Sequence, residues 1–393
     1  MPPPVFLNQL GIVCAAGTGK REVTAALFGD TPTGVAPSGD FAGRTLPVGR
    51  VTTPLADVAG LPLPLRSRNN ALLLTALEEL RPAVDAALHR YGPQRVAIVL
   101  GTSTSGIGES EAAIAAHVAT GQLPGHFDIG QQELGSPALA LNHLLGVLGP
   151  AHVISTACSS SAKALASAAR LLRAGVADAV ITGGADALCR FTVAGFSALE
   201  SVSEARCNPM SVNRRGINIG EGAALFLMTR EPGPVRLLGW GESSDAHHLS
   251  APEPEGRGAR AAMQAALERA GIAPSEVDYV NLHGTATPHN DAMESRATHA
   301  LLGGSVPASS TKPLTGHTLG AAGAIEAALC WLTLADNARG LLPPHWWDGE
   351  ADPALPALAL VKPGQSLGRP LRHVLSNSFA FGGNNAALLL GGA

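Results

Sequence analysis

The sequence predicts a layered α/β protein built on a parallel or mixed central sheet, and three observations carry that prediction. The chain of 393 residues is 46% hydrophobic and only 15% charged, too apolar for a disordered polypeptide and sufficient for a large buried core. Short apolar runs of strand length alternate with longer stretches in which apolar residues recur at helical spacing. One segment, 152–182, contains a complete strand, turn, helix and strand. At ~150 residues per domain, the length suggests two domains or one large double domain.

In chain order, MPPPVFLNQLGIVCAAGTGK reads as a first strand; with no Lys or Arg before Lys20 it lacks the basic start of a signal peptide. Positions 31–64 have no clear period and read as an irregular surface excursion. Leu72 to Leu88 is helical, RVAIVLGTS from Arg95 is a buried strand, and Glu109 to Thr120 is helical again. His152 to Thr156 is a strand and the turn falls at Ala157 and Cys158. Ala164, Leu165, Ala168, Leu171 and Leu172 then mark a helix before a strand at Ala179 to Thr182. A strand from Val277 runs into His283. Lys312 and His317 sit in a loop before an Ala-rich helix that is apolar nearly all round, hence buried. The chain closes on a strand, a Gly-rich turn with Phe379 and Phe381, and a return strand.

Several function classes are excluded as expectations. The formal charge is −4 and no basic run stands out, so no nucleic-acid partner is expected. The longest apolar stretch, Ala164 to Leu188, is broken by Arg170, Arg173, Asp178 and Asp186, which excludes a membrane helix. Cysteines 14, 158, 189, 207 and 330 are odd in number and form no CxxC pair, which fits a reducing cytoplasm better than a secreted disulfide framework. His283 and His289 lack a Cys or carboxylate at metal-ligand spacing, so no metal is expected.

The candidate chemistry lies at element ends. Cys158 stands at a strand tip and helix start, where free N–H groups and the helix dipole favour a thiolate; read alone, it is equally a small buried residue in a tight turn. His283, His317 and Lys312 each sit at a strand end or helix start, where sites of α/β proteins collect. In the final turn a backbone N–H can serve as an oxyanion donor and a phenylalanine as a movable wall.

The segments TACSSSAKAL, HGTATPHND, KPLTGHTLGAAGAIEA and NSFAFGGNN, in this order and spacing, resemble the β-ketoacyl-acyl carrier protein synthases of the KAS I/II type, and the resemblance covers essentially the whole chain. It implies the thiolase fold, two βαβαβαββ halves in a five-layer α-β-α-β-α sandwich, here placed at 1–232 and 233–393. It further implies that Cys158 is the acylated nucleophile and that His283 and His317 serve the malonyl group. Lys312 and Glu326 would be a supporting ion pair, and the backbone N–H groups of Cys158 and Phe381 the oxyanion hole. Thr285 and Thr287 would line the phosphopantetheine tunnel, with Phe379 and Phe381 as aromatic walls and Phe381 as gatekeeper. The implied chemistry needs no cofactor of its own, because phosphopantetheine arrives on an acidic acyl carrier protein. Arg66, Arg68, Arg206 and Arg214 are candidates for docking that carrier. The implied assembly is a homodimer, or a heterodimer with a chain-length-factor-like subunit.

The chain departs from the pattern at Met210, Ser211 and Arg215, and at Ala380, where Gly is usual and where alanine is expected to restrict gate motion. The INIGEGAALFL run resembles ketosynthases of aryl-polyene and other specialised pathways more than housekeeping fatty-acid enzymes. A biosynthetic thiolase would carry a second cysteine in the last turn, and FAFGGNN has none. A KAS III or chalcone-synthase-like enzyme would pair Cys with His and Asn, and a silent chain-length factor would lack Cys158.

Overall fold

The computed structural model describes residues 3–41 and 43–392. Two sheet halves share one ladder. In the first, strands Ala151–Ile154, Val96–Gly101 and Ala179–Asp186 run parallel, followed by antiparallel Gly222–Thr229 and Phe6–Cys14. The second repeats the order. Pro307–Ser309, Tyr279–Asn281 and His373–Ala380 are parallel, followed by antiparallel Asn384–Gly392 and Val235–Ser244, with short Ala359–Leu360 added outside. The halves join where Phe6 and Leu7 pair with Arg236 and Val235. In each half, chain order is strand, helix, strand, helix, strand, helix and two strands, with helices Gly19–Leu27, Ile107–Thr120 and Arg190–Ala198 added in the first half and the one-turn Lys312–Thr315 in the second. The duplication, degenerate in the letters, is plain in the topology.

Helices Ser160–Arg173 and Ala322–Leu334 lie between the two sheet halves, where Ala164, Leu165, Ala168, Ala324 and Ile325 pack with Phe226 from one side and Val374 from the other. Every residue of Ala322–Leu334 is buried, which accounts for its small, all-round apolar sequence. Helix Arg68–Tyr91 covers the outer face of the first half through Leu72, Leu73 and Leu77. Helices Arg257–Ala270 and Pro288–Leu302 cover the second through Met263, Ala266 and Met293. Each large apolar side chain so buried contributes about 1.5–3 kcal/mol. The result is the five-layer α-β-α-β-α thiolase sandwich. The turn between Gly222–Thr229 and Val235–Ser244 contains position 232. No helix among the described residues is long and apolar enough to cross a membrane.

Three local expectations need correction. Positions 31–64 hold an antiparallel hairpin, Val35–Ser38 with Leu46–Gly49, because Leu46 and Val48 bury against Val193, Ile217 and Ile219, partners too distant in sequence to leave a local period. Lys312 opens a one-turn helix, Lys312–Thr315, instead of lying in a loop. The strand expected over 152–156 ends at Ile154, and the chain then bends into the nucleophile turn.

Candidate active site

The turn at Cys158 is rigid. Ala157 adopts φ 52°, a left-handed conformation that costs a non-glycine residue about 1–2 kcal/mol. Ser160 offsets this cost: its hydroxyl donates to Ala157 O at 2.5 Å and accepts from the Thr156 N–H at 2.8 Å. Helix Ser160–Arg173 follows directly, so Cys158 is aimed from the seam between the sheet halves.

His317 is positioned by backbone pairing across the sequence. Its N–H donates to Asn218 O at 2.7 Å and its carbonyl accepts from the Gly220 N–H at 2.9 Å. A Cβ on Gly220 would fall 2.4 Å from Thr315 O, so the NIGEG run needs glycine for this close approach. The result brings His317 Nε2 to 3.0 Å from Cys158 Sγ. The His283 ring stands edge-on to His317 with centroids 5.3 Å apart, and Phe379 packs at 6.2 Å.

Buried carboxylates absent from the sequence expectations hold this arrangement. Glu294 accepts from the His283 N–H at 2.8 Å and the Gly284 N–H at 2.7 Å. Asp291 accepts from the Ala286 N–H at 3.1 Å and the Met210 N–H at 2.8 Å. Asp186 accepts from Thr102, Ser103 and Thr104 and from the Gly320 N–H at 2.6 Å, three residues after His317. The available signal was HNDAMES, in which Asp291 and Glu294 share one face of a helix opening directly after HGTATP.

Lys312 and Glu326 form a buried ion pair, and Lys312 Nζ also contacts His283 O and sits 3.3 Å from His283 Nδ1. An ammonium beside Nδ1 makes that nitrogen the acceptor, leaving the hydrogen on Nε2, which faces the cavity. Burial, and then the nearby Lys312, push both histidines well below the usual imidazole pKa, so both are neutral at pH 7. Burial raises the Glu326 carboxyl against the pull of Lys312. The ligand atoms of Cys158, His283 and His317 lie within 4.8 Å of one another, a cluster from three distant segments that the sequence spacing of His283 and His289 did not disclose.

Burial opposes the thiolate that the helix start favours at Cys158. Burial dominates at Cys158 and pushes the thiol up to about 12, with Lys312 and the Phe381 N–H opposing and Glu326 and Asp186 reinforcing. His317 Nε2, 3.0 Å from the sulfur, is the base within reach of that proton.

Cys158, His283, His317, Thr285, Thr287, Phe379 and Phe381 line one cavity of about 660 Å³, mouth included. Lys312 and Glu326 lie behind it. The Thr285 and Thr287 hydroxyls are 3.1 Å apart, and Thr287 also caps helix Pro288–Leu302 by accepting from the Asn290 N–H at 3.3 Å. Phe381 packs against Phe196 with centroids 5.5 Å apart. Ala380 is extended at φ −117°, a conformation alanine accepts, so it introduces no strain in this arrangement of the turn.

The four candidate docking arginines are not one patch. Arg68 bonds the buried Glu221, whose carboxylate also accepts from the Val51 and Leu188 N–H groups; Arg214, side chain 9% exposed, bonds Asp352 at 2.6 Å. Both are engaged in ion pairs within the chain, and each also lines a groove, Arg68 the one that Arg66 lines and Arg214 the one that Arg206 lines. Arg66 and Arg206 are exposed and have no acidic partner among the described residues. Arg206 lines a groove with Arg44 and Arg215 that reaches Pro288 beside the cavity rim, whereas Arg66 lines a separate groove with Arg50.

Comparison with known proteins agrees with this geometry. Residues 70–232 match the profile of the beta-ketoacyl synthase N-terminal domain and 235–345 that of its C-terminal domain. The chain is similar to 3-oxoacyl-[acyl-carrier-protein] synthase 2 of Rhizobium meliloti, 37% identical over 276 residues, 65% of this chain and 64% of that protein. The matched stretch thus spans just under two thirds of that relative. Among solved structures, a chain of the ketosynthase ApeO complex with its chain length factor ApeC from Xenorhabdus doucetiae is 45% identical with a TM-score of 0.94, covering 100% of this chain and 98% of that one. A beta-ketoacyl synthase from Burkholderia phymatum is 27% identical with a TM-score of 0.88, both chains covered fully. With its whole length matched and a cysteine and two histidines converging in one cavity, the chain belongs to the β-ketoacyl synthase family.

Proposed function

We propose that this chain is a catalytic ketosynthase that joins an acyl group to malonyl-acyl carrier protein by decarboxylative Claisen condensation. The observation that carries the reading is the 3.0 Å approach of His317 Nε2 to Cys158 Sγ in a cavity shared with His283. In the first half-reaction the Cys158 sulfur attacks the thioester carbon of the acyl carrier while its proton passes to His317 Nε2. The thioester bond breaks and the proton leaves on the pantetheine sulfur. Malonyl-carrier then enters. Loss of CO2 leaves an enolate whose oxygen takes hydrogen bonds from His283 Nε2–H and from His317, whose neutral ring exchanges to the tautomer with its hydrogen on Nε2 for this step, each such donor contributing on the order of 3 kcal/mol. The carbanion carbon attacks the acyl-Cys158 carbonyl, whose developing oxyanion rests on the Cys158 and Phe381 N–H groups. Collapse releases 3-oxoacyl-carrier and the Cys158 thiolate, which takes up one proton per cycle. Lys312 and Glu326 fix His283 with its acceptor inward and its donor outward. Thr285 and Thr287 hold the pantetheine arm, and no cofactor of the enzyme's own is required.

The partners in this reading are an acidic carrier protein, met by Arg206 and Arg66, and a second subunit of the same fold. Ala151–Ile154 is the outermost strand of the first sheet half, and the segment before it exposes Ile114, Val118, Leu139 and Leu148. A bare strand edge with an apolar surround favours a partner across it. The full-length likeness to a chain of a ketosynthase complex with its chain length factor supports a heterodimer in a specialised, aryl-polyene-type pathway, with this chain as the active half because it keeps Cys158. The halves 1–232 and 233–393 supply the nucleophile and the histidines respectively. The test is incubation with a panel of acyl-carrier proteins, reading by mass which acyl groups attach to Cys158, followed by malonyl-carrier. Acylation at Cys158 and formation of 3-oxoacyl-carrier are expected; a wild-type enzyme that takes up no acyl group overturns the reading.

A further inference from the structure

The turn Phe381–Gly383 over the nucleophile is loose at one end and fixed at the other. Gly382 is exposed at φ 77°, and its N–H donates only to the carbonyl of Leu249, itself 81% exposed. Gly383, at φ 70°, is packed so closely that a Cβ would fall 2.8 Å from Asp245 Cβ. Gly383 O accepts from the Asp245 N–H at 2.9 Å, and Asn385 Nδ2 donates to Asp245 Oδ1 at 2.7 Å. Movement of Phe381 therefore pivots on the Gly383–Asn385 side.

Lys163 ties that pivot to a different part of the molecule. It lies in the first turn of the helix that follows Cys158, and its ammonium donates to Asn384 Oδ1 at 2.8 Å, across 221 residues. It is half-buried, it has no carboxylate within ion-pair distance among the described residues, and it does not line the cavity. Burial, opposed by the charge of Glu242, holds its pKa below the usual lysine value. A methionine would pack there without the desolvation cost, so what the lysine adds is its bond to Asn384 and its attraction to Glu242.

We infer that Lys163 is a positioning residue for acyl transfer: by tying Asn384 to the nucleophile's helix it fixes the pivot on which Phe381 moves aside for a long acyl chain. This rests on the reading that Cys158 is acylated behind Phe381. An acyl chain long enough to displace Phe381 depends on the pivot, whereas an acetyl group does not.

The experiment compares Lys163→Met, Asn384→Ala, the double variant and Lys163→Arg in the full chain, with its partner subunit if the wild type requires one. Single-turnover acylation of Cys158 by a long-chain acyl-carrier is expected to slow about tenfold in each of the first two variants, the scale of one lost charged hydrogen bond. Acetyl transfer is expected to stay within about twofold. The double variant should lose no more than either single one, because both remove the same bond, and Lys163→Arg should recover most of the rate. Amide exchange, which needs no substrate, should quicken at 381–385 in Lys163→Met and Asn384→Ala but not along 164–173. If acetyl and long-chain transfer fall together, the losses add, arginine fails to rescue, or exchange at 381–385 is unchanged, Lys163 is a packing residue and the inference is wrong. Failure of wild-type acylation with the expected exchange pattern overturns the catalytic reading while leaving the tether.

Discussion

The two central helices occupy equivalent places in the two halves, and each is preceded by a segment carrying a side chain of the proposed catalytic set. In the first half, strand Ala151–Ile154 leads through Cys158 into Ser160–Arg173; in the second, Pro307–Ser309 leads through Lys312 and His317 into Ala322–Leu334. One loop became a nucleophile turn, strained at Ala157 and locked by Ser160. The other became a histidine loop with an internal cation, held by backbone pairing to Asn218 and Gly220. Packing the duplicated helices against each other carries these loops together, so the 3.0 Å contact of Cys158 with His317 follows from the pseudo-symmetry of the fold. A duplicated frame thus positions both reacting groups without a dedicated scaffold, and the side chains divide the labour.

Breaking either loop should have unequal consequences. Cys158→Ala should abolish acyl uptake and lower condensation by about 10³-fold or more, while the melting temperature barely changes because alanine suits the turn. Activity near wild type in that variant would end the nucleophile assignment. His283→Ala and His317→Ala should each lower malonyl decarboxylation by about 10²–10³-fold through loss of an enolate donor. His317→Ala should in addition slow acylation, because it removes the proton acceptor, and equal acylation rates in the two variants would contradict the division of roles. The pH dependence separates the same steps. Alkylation of Cys158 by iodoacetamide should rise about tenfold per pH unit from 7 to 9, as expected for a thiol with a pKa of about 12. Acylation by a carrier thioester should stay flat over that range, because His317 is already neutral.

Lys312 sharpens the comparison between fold and chemistry. Lys312→Met leaves Glu326 buried without its partner and should cost about 3–5 kcal/mol of stability. Burial raises the Glu326 carboxyl, so the protonated form favours the folded state and the single variant should gain stability as pH falls and lose it as pH rises through the raised pKa. Lys312→Met with Glu326→Gln should recover most of the stability yet remain poorly active, because His283 Nδ1 still lacks its ammonium. Recovery of activity with stability would make the pair a packing element only.

What the sequence made legible was local. The strand, turn and helix around Cys158 and the buried helix at 322–334 each fall within one window where apolar spacing is decisive, and the motif residues sit at their ends. The carboxylates were not legible, because Asp186, Glu221, Asp291 and Glu294 gain their meaning from backbone N–H groups contributed by other segments: Glu221 serves Val51, 170 residues away. The hairpin at 35–49 was missed for the same reason, its apolar residues answering to strands and loops beyond position 188. The pairing of Arg68 with Glu221 was not legible either, because an arginine before a helix looks alike whether it faces solvent or a buried glutamate.

The smallest expected effect tests that last distinction. Arg206→Glu combined with Arg66→Glu reverses two exposed charges that have no acidic partner among the described residues, only backbone carbonyls. It should raise KM for a carrier-bound substrate several-fold and weaken its salt dependence, with kcat and the melting temperature unchanged, because exposed charges act on encounter and contribute little to stability. A pantetheine thioester without the carrier should react as before. Arg68→Ala should do the reverse: KM for the carrier stays constant while the melting temperature falls, since Glu221 keeps its two backbone donors but loses its cation. If the small thioester slows as much as the carrier-bound one in the double charge reversal, Arg206 and Arg66 shape the cavity entrance instead of docking a partner. If Arg68→Ala changes KM without changing stability, the Arg68 contact with Glu221 yields to the carrier on binding, and the line drawn between structural and docking arginines is in the wrong place.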